Sequence, residues 1–192
     1  GVKALTAPRQ TLSRVLDYGR SVQRVAGLTG PAGSPVFAGR SVSWRFQAFE
    51  VPFASLKAAA RATGTSINDV YLGGLISGIR RYHEELDTMV EAIPVAMPIS
   101  IRSADDTTAG NNFAAGRLAG PVGIDDPLER ILSIREQVRA ARNEPAADML
   151  SAVGPLMAWL PSPLVAQLGS AGAYIDLQAS NVPGIPWDMY VA

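Results

Sequence analysis

Between Asp148 and Asp176 the chain carries no charged residue. The run is long enough to cross a bilayer, so it decides what class of protein this chain can form. Pro155, Pro161 and Pro163 break it, and Ser151, Ser162, Gln167 and Ser170 dilute it. A spanning helix is disfavoured, because those prolines would leave backbone groups unsatisfied in lipid. Two short, nearly apolar helices laid against a core or a lipid-filled groove fit the pattern better. At the N-terminal end, Lys3 and Arg9 are not followed by an apolar h-region, so no signal peptide is read.

The remainder of the composition narrows the function. Of 192 residues 47% are hydrophobic, which suffices for one sizeable core. Cysteine is absent, which excludes disulfides and thiolate metal sites. His83 is the one imidazole, so a multi-histidine metal centre is excluded too. Seventeen basic and seventeen acidic residues cancel, and nothing in the charge calls for nucleic acid. The charge is uneven, with seven basic residues against Asp17 and Glu50 through position 50. Such a start suits either an anionic surface, such as lipid headgroups or a CoA phosphate, or a solvated helix face.

Periodicity sets out the elements. Leu12, Val15, Leu16, Val22, Val25 and Ala26 predict an amphipathic helix over 9–28, followed by a Gly/Pro-rich linker over 27–39. Val42, Trp44, Phe46 and Ala48 alternate with Ser43, Arg45 and Gln47, which predicts a half-buried strand over 41–50. Pro52 opens a helix that Gly64 stops. Ser66 caps the next helix, with Asp69 completing a capping box, and an apolar stripe of Ile67, Val70, Tyr71, Leu75, Ile76, Ile79 and Tyr82. Gly74 and Gly78 share a face of that helix and are expected to admit another backbone, tightly packed against a sheet. Residues 93–101 read as a strand with an edge or bulge near Pro94 and Pro98. A weaker strand is read over 112–119. Asp126-Pro127 opens a helix to about Arg142 with Leu128, Ile131, Leu132, Ile134 and Val138 buried and its arginines outward. Residues 174–179 alternate as a strand, Pro183-Gly184 turns the chain, and 187–191 gives a last strand fragment. The order predicts a layered α/β or α+β domain.

Chemistry is sparse. The chain has no G-x-S-x-G elbow, no P-loop and no dinucleotide fingerprint. His83, at a helix C-terminus before Glu84 and Glu85, reads as a surface residue. Three polar clusters remain: Asn68-Asp69 in a helix's first turn, Gly110-Asn111-Asn112 between two strands, and Ser180-Asn181-Val182-Pro183-Gly184 at a strand end. Each also has a purely structural role open to it: capping, turn formation or strand exit.

Taken together and in this order, the stretches Thr65-Ser66-Ile67-Asn68-Asp69-Val70, Met97-Pro98-Ile99-Ser100-Ile101-Arg102, Gly110-Asn111 before Phe113, and Ser180-Asn181-Val182-Pro183-Gly184 carry a resemblance. The chain resembles the C-terminal part of the bacterial wax ester synthase/acyl-CoA:diacylglycerol acyltransferase family, from about Pro35 onward. Arg80-Arg81-Tyr82 and Asp126-Pro127-Leu128-Glu129-Arg130 add to it.

That resemblance implies an α/β fold, a mixed sheet with packed helices forming the second lobe of a chloramphenicol-acetyltransferase-like, CoA-dependent acyltransferase. The implied activity moves an acyl group from acyl-CoA to a diacylglycerol or a fatty alcohol, with acyl-CoA as substrate and no cofactor. In the family a His of an HHxxxDG motif in the N-terminal half is the general base, and no such motif occurs here. The expectation is therefore a fragment, inactive alone, with residues 1–40 as a basic helix and interlobe linker and 41–192 as an incomplete C-terminal lobe. Its partners would be its own N-terminal lobe, acyl-CoA, a hydrophobic alcohol and a peripheral membrane or lipid-droplet surface, in a cytoplasmic setting.

The resemblance assigns no catalytic residue and no metal ligand to this chain. For substrate binding it offers Asn68, Asp69, Asn111, Asn181 and Gly184. Asn68 would bond a substrate or the thioester oxygen, and Asp69 would cap its helix or fix a neighbour. The small residues Ala166, Gly169, Ala171 and Gly172 would leave room for an acyl chain. A non-catalytic lipid-binding module is the alternative, and a related acyltransferase of the same fold, such as a peptide condensation domain, is a third reading.

Overall fold

The computed structural model describes residues 17, 19–21, 31–39, 41–100, 113–143, 161–162 and 175–182. The predicted N-terminal helix, the uncharged region and the segment from Pro183 onward lie largely or wholly outside these residues. Three helices and three strands organise the rest: α1 (Phe53–Thr63), α2 (Ile67–Glu85), β1 (Ile93–Ser100), β2 (Phe113–Gly120), α3 (Pro127–Arg142) and β3 (Leu177–Gln178). The sheet order is β2-β1-β3, with β1 antiparallel to β2 and parallel to β3. This is a mixed α/β architecture.

Local chemistry fixes the helix ends as the sequence predicts. Pro52 is the N-cap of α1, and Gly64 ends it at φ +62°, a left-handed turn that other residues resist. Two residues later α2 begins at a true capping box. The Asp69 amide donates to Ser66 Oγ at 3.1 Å, and the Ser66 amide donates to Asp69 Oδ2 at 2.9 Å. Asp126 caps α3 by accepting from the amides of Leu128 and Glu129 at 2.7 and 2.9 Å, with Pro127 at the first helical position.

The core lies between the sheet and α2 and α3. Leu72 and Ile76 of α2 meet Ile93, Val95 and Met97 of β1, Leu118 of β2, and Ile134 and Val138 of α3. Gly73 brings the two helices together, since a Cβ there would stand 2.6 Å from Ile131 Cγ1. Gly74 and Gly78, expected to make the close approach, are exposed and have open space above them. The helix turns by 100° per residue, and the contact therefore falls on the glycine one position earlier. The partner is a helix and not the sheet.

Other expectations change as well. Residues 41–50 form no strand and take no place in the sheet, and Val42, Trp44 and Phe46 are more than four-fifths exposed. The alternation predicts a strand here, yet none forms, and no strand among the described residues pairs with it. In α3, Leu128 and Leu132 are exposed while Arg130 is buried. Arg130 donates to the carbonyls of Ile124 and Asp125 and to Ser77 Oγ. Burial, and then the like charge of Arg80, lower its pKa from the usual value, while Asp125, Glu84 and Asp126 act the other way. Arg80 binds the same loop, donating to the carbonyls of Val122 and Gly123 and pairing with Asp125 and Glu84.

β1 is the middle strand, and its register to β2 runs without a bulge from Ile93↔Gly120 to Ser100↔Phe113. Its prolines were expected at an edge or a bulge. They are accommodated because Pro94, Ala96 and Pro98 share one parity, and the carbonyls of Pro94 and Ala96 face 176–179. The missing N–H groups thus point to the side where β3 pairs for only two residues. On the outer edge of β2 the Gln137 side-chain amide acts as a substitute strand. It accepts from the Ala119 amide at 2.8 Å and donates to the Ala119 carbonyl at 2.9 Å.

Candidate active-site face

The topology gathers the polar stretches at one end of the sheet. β1 and β3 run parallel, so Met97–Ser100 and Ser180–Val182 leave the sheet at the same end. The register sets Phe113 beside Ser100 and brings the start of β2 to that end too. The first turns of α2 join them, because Tyr71 Oη donates to the Ser180 carbonyl at 3.3 Å. Stretches far apart in sequence therefore share one face.

Asn68 and Asp69 have different fates on that face. The Asp69 carboxylate is buried and committed to the cap of α2, since its Oδ2 holds the Ser66 amide. Asn68 is partly buried, and its Nδ2 is fully buried with no hydrogen-bond partner among the described residues. A buried amide donor left without an acceptor costs about 1–3 kcal/mol, so its presence calls for an explanation. Asn181 is exposed beside Val182, which is 77% exposed. Asn111 and Gly184 lie outside the described residues, as do Ala166, Gly169, Ala171 and Gly172.

His83 is the residue that pattern reading misplaced. It is wholly buried rather than on the surface. Its Nδ1 lies 2.8 Å from the Ile79 carbonyl, which can only accept, so Nδ1 carries the proton. Nε2 then accepts from Ser34 Oγ–H at 2.6 Å. Ser34 Oγ in turn accepts from the Val36 amide at 3.1 Å, and the Ser34 amide donates to Asp176 Oδ2 at 2.6 Å. Phe37 closes the site with its ring edge-on to the imidazole at 5.4 Å. Both ring nitrogens are satisfied and water has no access, so the pair is a structural tie. A signal for it existed: His83 stands seven residues after Ile76 and four after Ile79, on the buried stripe.

Between α2, α3 and the sheet lies a small, partly open apolar pocket of about 10 Å³, room for a water and not for an acyl chain. A groove of about 300 Å³ lies outside it, between the α1–α2 junction and α3. No helix among the described residues is long and apolar enough to cross a membrane.

An α/β lobe with a mixed sheet, its polar motifs drawn to one end, is the class that the structure defines. Residues 109–192 match the WS/DGAT C-terminal domain. Over 190 residues the chain is 38% identical to proteins of Mycobacterium tuberculosis strains CDC 1551 and H37Rv that carry the name diacylglycerol O-acyltransferase, and the match covers 99% of this chain and 38% of theirs. Further proteins of the same strains and the same name are 28% identical over 178 residues. The solved wax ester synthase/diacylglycerol acyltransferase from Marinobacter aquaeolei VT8 is 18% identical, with a TM-score of 0.49 over 93% of this chain and 40% of that one. The chain is thus similar to the C-terminal part of wax ester synthase/diacylglycerol acyltransferase proteins, with residues 109–192 matching that family's C-terminal domain. It spans less than two-fifths of the length of these M. tuberculosis relatives.

Proposed function

We propose that residues 41–192 form the C-terminal lobe of an O-acyltransferase that moves a long-chain acyl group from acyl-CoA to a diacylglycerol or a fatty alcohol. The observation that carries this reading is the orphaned Asn68 Nδ2, buried in the first turn of α2 on the face where the family stretches converge. A fixed donor of this kind suits the thioester oxygen, on which negative charge develops when the alcohol attacks. The attack forms the ester C–O bond, a base takes the hydroxyl proton, and the C–S bond breaks to release CoA as the thiol.

The base belongs to another part of the polypeptide in this reading. His83, with both nitrogens engaged and no exposed surface, is not a candidate. Support for a further lobe comes from 42–53, where Val42, Trp44, Phe46, Phe49, Val51 and Phe53 are all more than half exposed. Apolar rows of this kind mark contact surfaces. The reading includes peripheral contact with a membrane or lipid body and needs no cofactor beyond the acyl-CoA substrate.

Turnover of labelled palmitoyl-CoA with diacylglycerol and with hexadecanol tests the proposal, comparing this chain alone with the same chain co-expressed with the upstream polypeptide. Activity in the co-expressed sample only is the expected result, and the preferred alcohol names the acceptor. Activity from the chain alone would overturn the assignment of the base. Silence in both would favour a non-catalytic lipid-binding module.

A further inference from the structure

The groove of about 300 Å³ is lined on one wall by Arg135, Val138, Arg139 and Arg142 of α3, and on the other by Gly64, Thr65, Ser66 and Asp69. Arg135, Arg139 and Arg142 follow i, i+4, i+7 spacing and so form one stripe. Three guanidiniums face a single carboxylate, and that carboxylate is already tied to the Ser66 amide. Arg135 donates to the Gly64 carbonyl, which ties its guanidinium across the groove to the opposite wall. Arg139 and Arg142 have no carboxylate within ion-pair distance among the described residues, in contrast to Arg80 on the far side of the lobe. The N-terminus of α2 is capped by the side chains of Ser66 and Asp69, so the arginines alone supply the attraction for an anion.

We propose that this groove binds the phosphorylated nucleotide end of the acyl-CoA donor, with Arg139 and Arg142 as its phosphate ligands. The inference rests on the acyltransferase reading for the identity of the ligand, though not for its charge. Planar guanidiniums pair with phosphate oxygens in bidentate fashion, and a lysine in their place would not. The volume is at the lower end of ligand sites, about 300–1,000 Å³. It therefore suits a nucleotide head rather than a whole acyl-CoA. Position agrees with this role. Ser66 and Asp69 of the lining flank the turn that carries Asn68, and Arg142 lies about 10 Å along α3 from Arg135, at a rise of about 1.5 Å per residue. The pantetheine arm would run from the groove toward Asn68, with the phosphates at its outer end. Phosphoryl groups of an anionic lipid share this chemistry, and the experiment separates the two sources.

Binding of adenosine 3′,5′-bisphosphate to the full chain is measured by calorimetry, for the parent and for Arg139→Glu/Arg142→Glu. Both side chains are exposed, and a thermal melt checks that the variant folds. The expected loss is at least about tenfold in affinity, since bonds to charged groups carry enough free energy for such a change. Arg81→Glu reverses one charge at an exposed position on α2 and is expected to leave binding unchanged. Equal binding by a folded Arg139→Glu/Arg142→Glu variant overturns the site. So does binding to phosphatidate vesicles with none to the bisphosphate, which would assign the groove to lipid. Bisphosphate binding that depends on these arginines supports the site even if co-expression yields no acyl transfer. In that case it is the acyltransferase reading that fails.

Discussion

His83 Nε2 accepts the hydroxyl hydrogen of Ser34 at 2.6 Å, tying the end of α2 to a loop 49 residues earlier in the chain. Through the Ser34 amide the same loop holds Asp176 just ahead of β3. One imidazole thus links three segments.

Replacing His83 with alanine leaves a cavity beside Phe37 and removes the acceptor of Ser34. The expected cost is about 2–4 kcal/mol, combining lost packing with an unsatisfied buried hydroxyl. Urea denaturation would measure it. In the co-expressed enzyme the turnover per folded molecule should stay near that of the parent, and a selective fall in kcat would show that the imidazole is more than a tie.

Asn68→Ala separates binding from folding in the opposite sense. No hydrogen bond is lost, so stability should hold or rise slightly. Turnover in the co-expressed enzyme should fall by roughly 10²–10³, the range for removing one donor to a developing oxyanion. An unchanged rate would take Asn68 out of the mechanism.

The glycines of α2 predict a pair of opposite shifts. Gly73→Ala drives a Cβ to 2.6 Å from Ile131 Cγ1 and should destabilise the fold by about 1–3 kcal/mol. Gly74→Ala, with nothing nearby, should stabilise it by about 0.5–1 kcal/mol through helix propensity. Thermal melts of the two variants and the parent would decide it.

Arg130 offers a test of buried charge. Arg130→Met removes donors to Ile124, Asp125 and Ser77, leaving three oxygens without them. A loss of about 2–4 kcal/mol is expected, with faster amide exchange across 121–126. Arg81→Met, exposed on α2, should change stability by less than about 0.5 kcal/mol.

What the sequence made legible was local. Ser66 and Asp69 announce a helix start by their own hydrogen bonds, and Gly64 a helix end by its φ, so the borders of α1, α2 and α3 follow from residues within a few positions. β1 and β2 were likewise readable to within a residue or so from apolar runs. Longer-range facts were not. Whether Gly73 or Gly74 meets a neighbour depends on the rotation of α2 against Ile131. The burial of His83 depends on Ser34 and Phe37 arriving from a distant loop, and that of Arg130 on carbonyls of 124 and 125 turning inward. The strand read over 41–50 has the right alternation, but a strand needs a partner and a pattern does not supply one. In the candidate site the approach of α2 to Ser180 rests on Tyr71 Oη and on the parallel pairing of β1 and β3, which no single stretch encodes.

The two prolines of β1 have a consequence for how this lobe can vary. They silence donors on the side of β3 while the pairing to β2 continues over all eight residues. One flank of the strand is therefore a permanent seam and the other a light attachment. Sequence on the lightly attached flank, which carries Ser180 and Asn181, can change or lengthen with little strain on the core. A lineage could in this way alter the rim that greets its substrates while inheriting the scaffold intact.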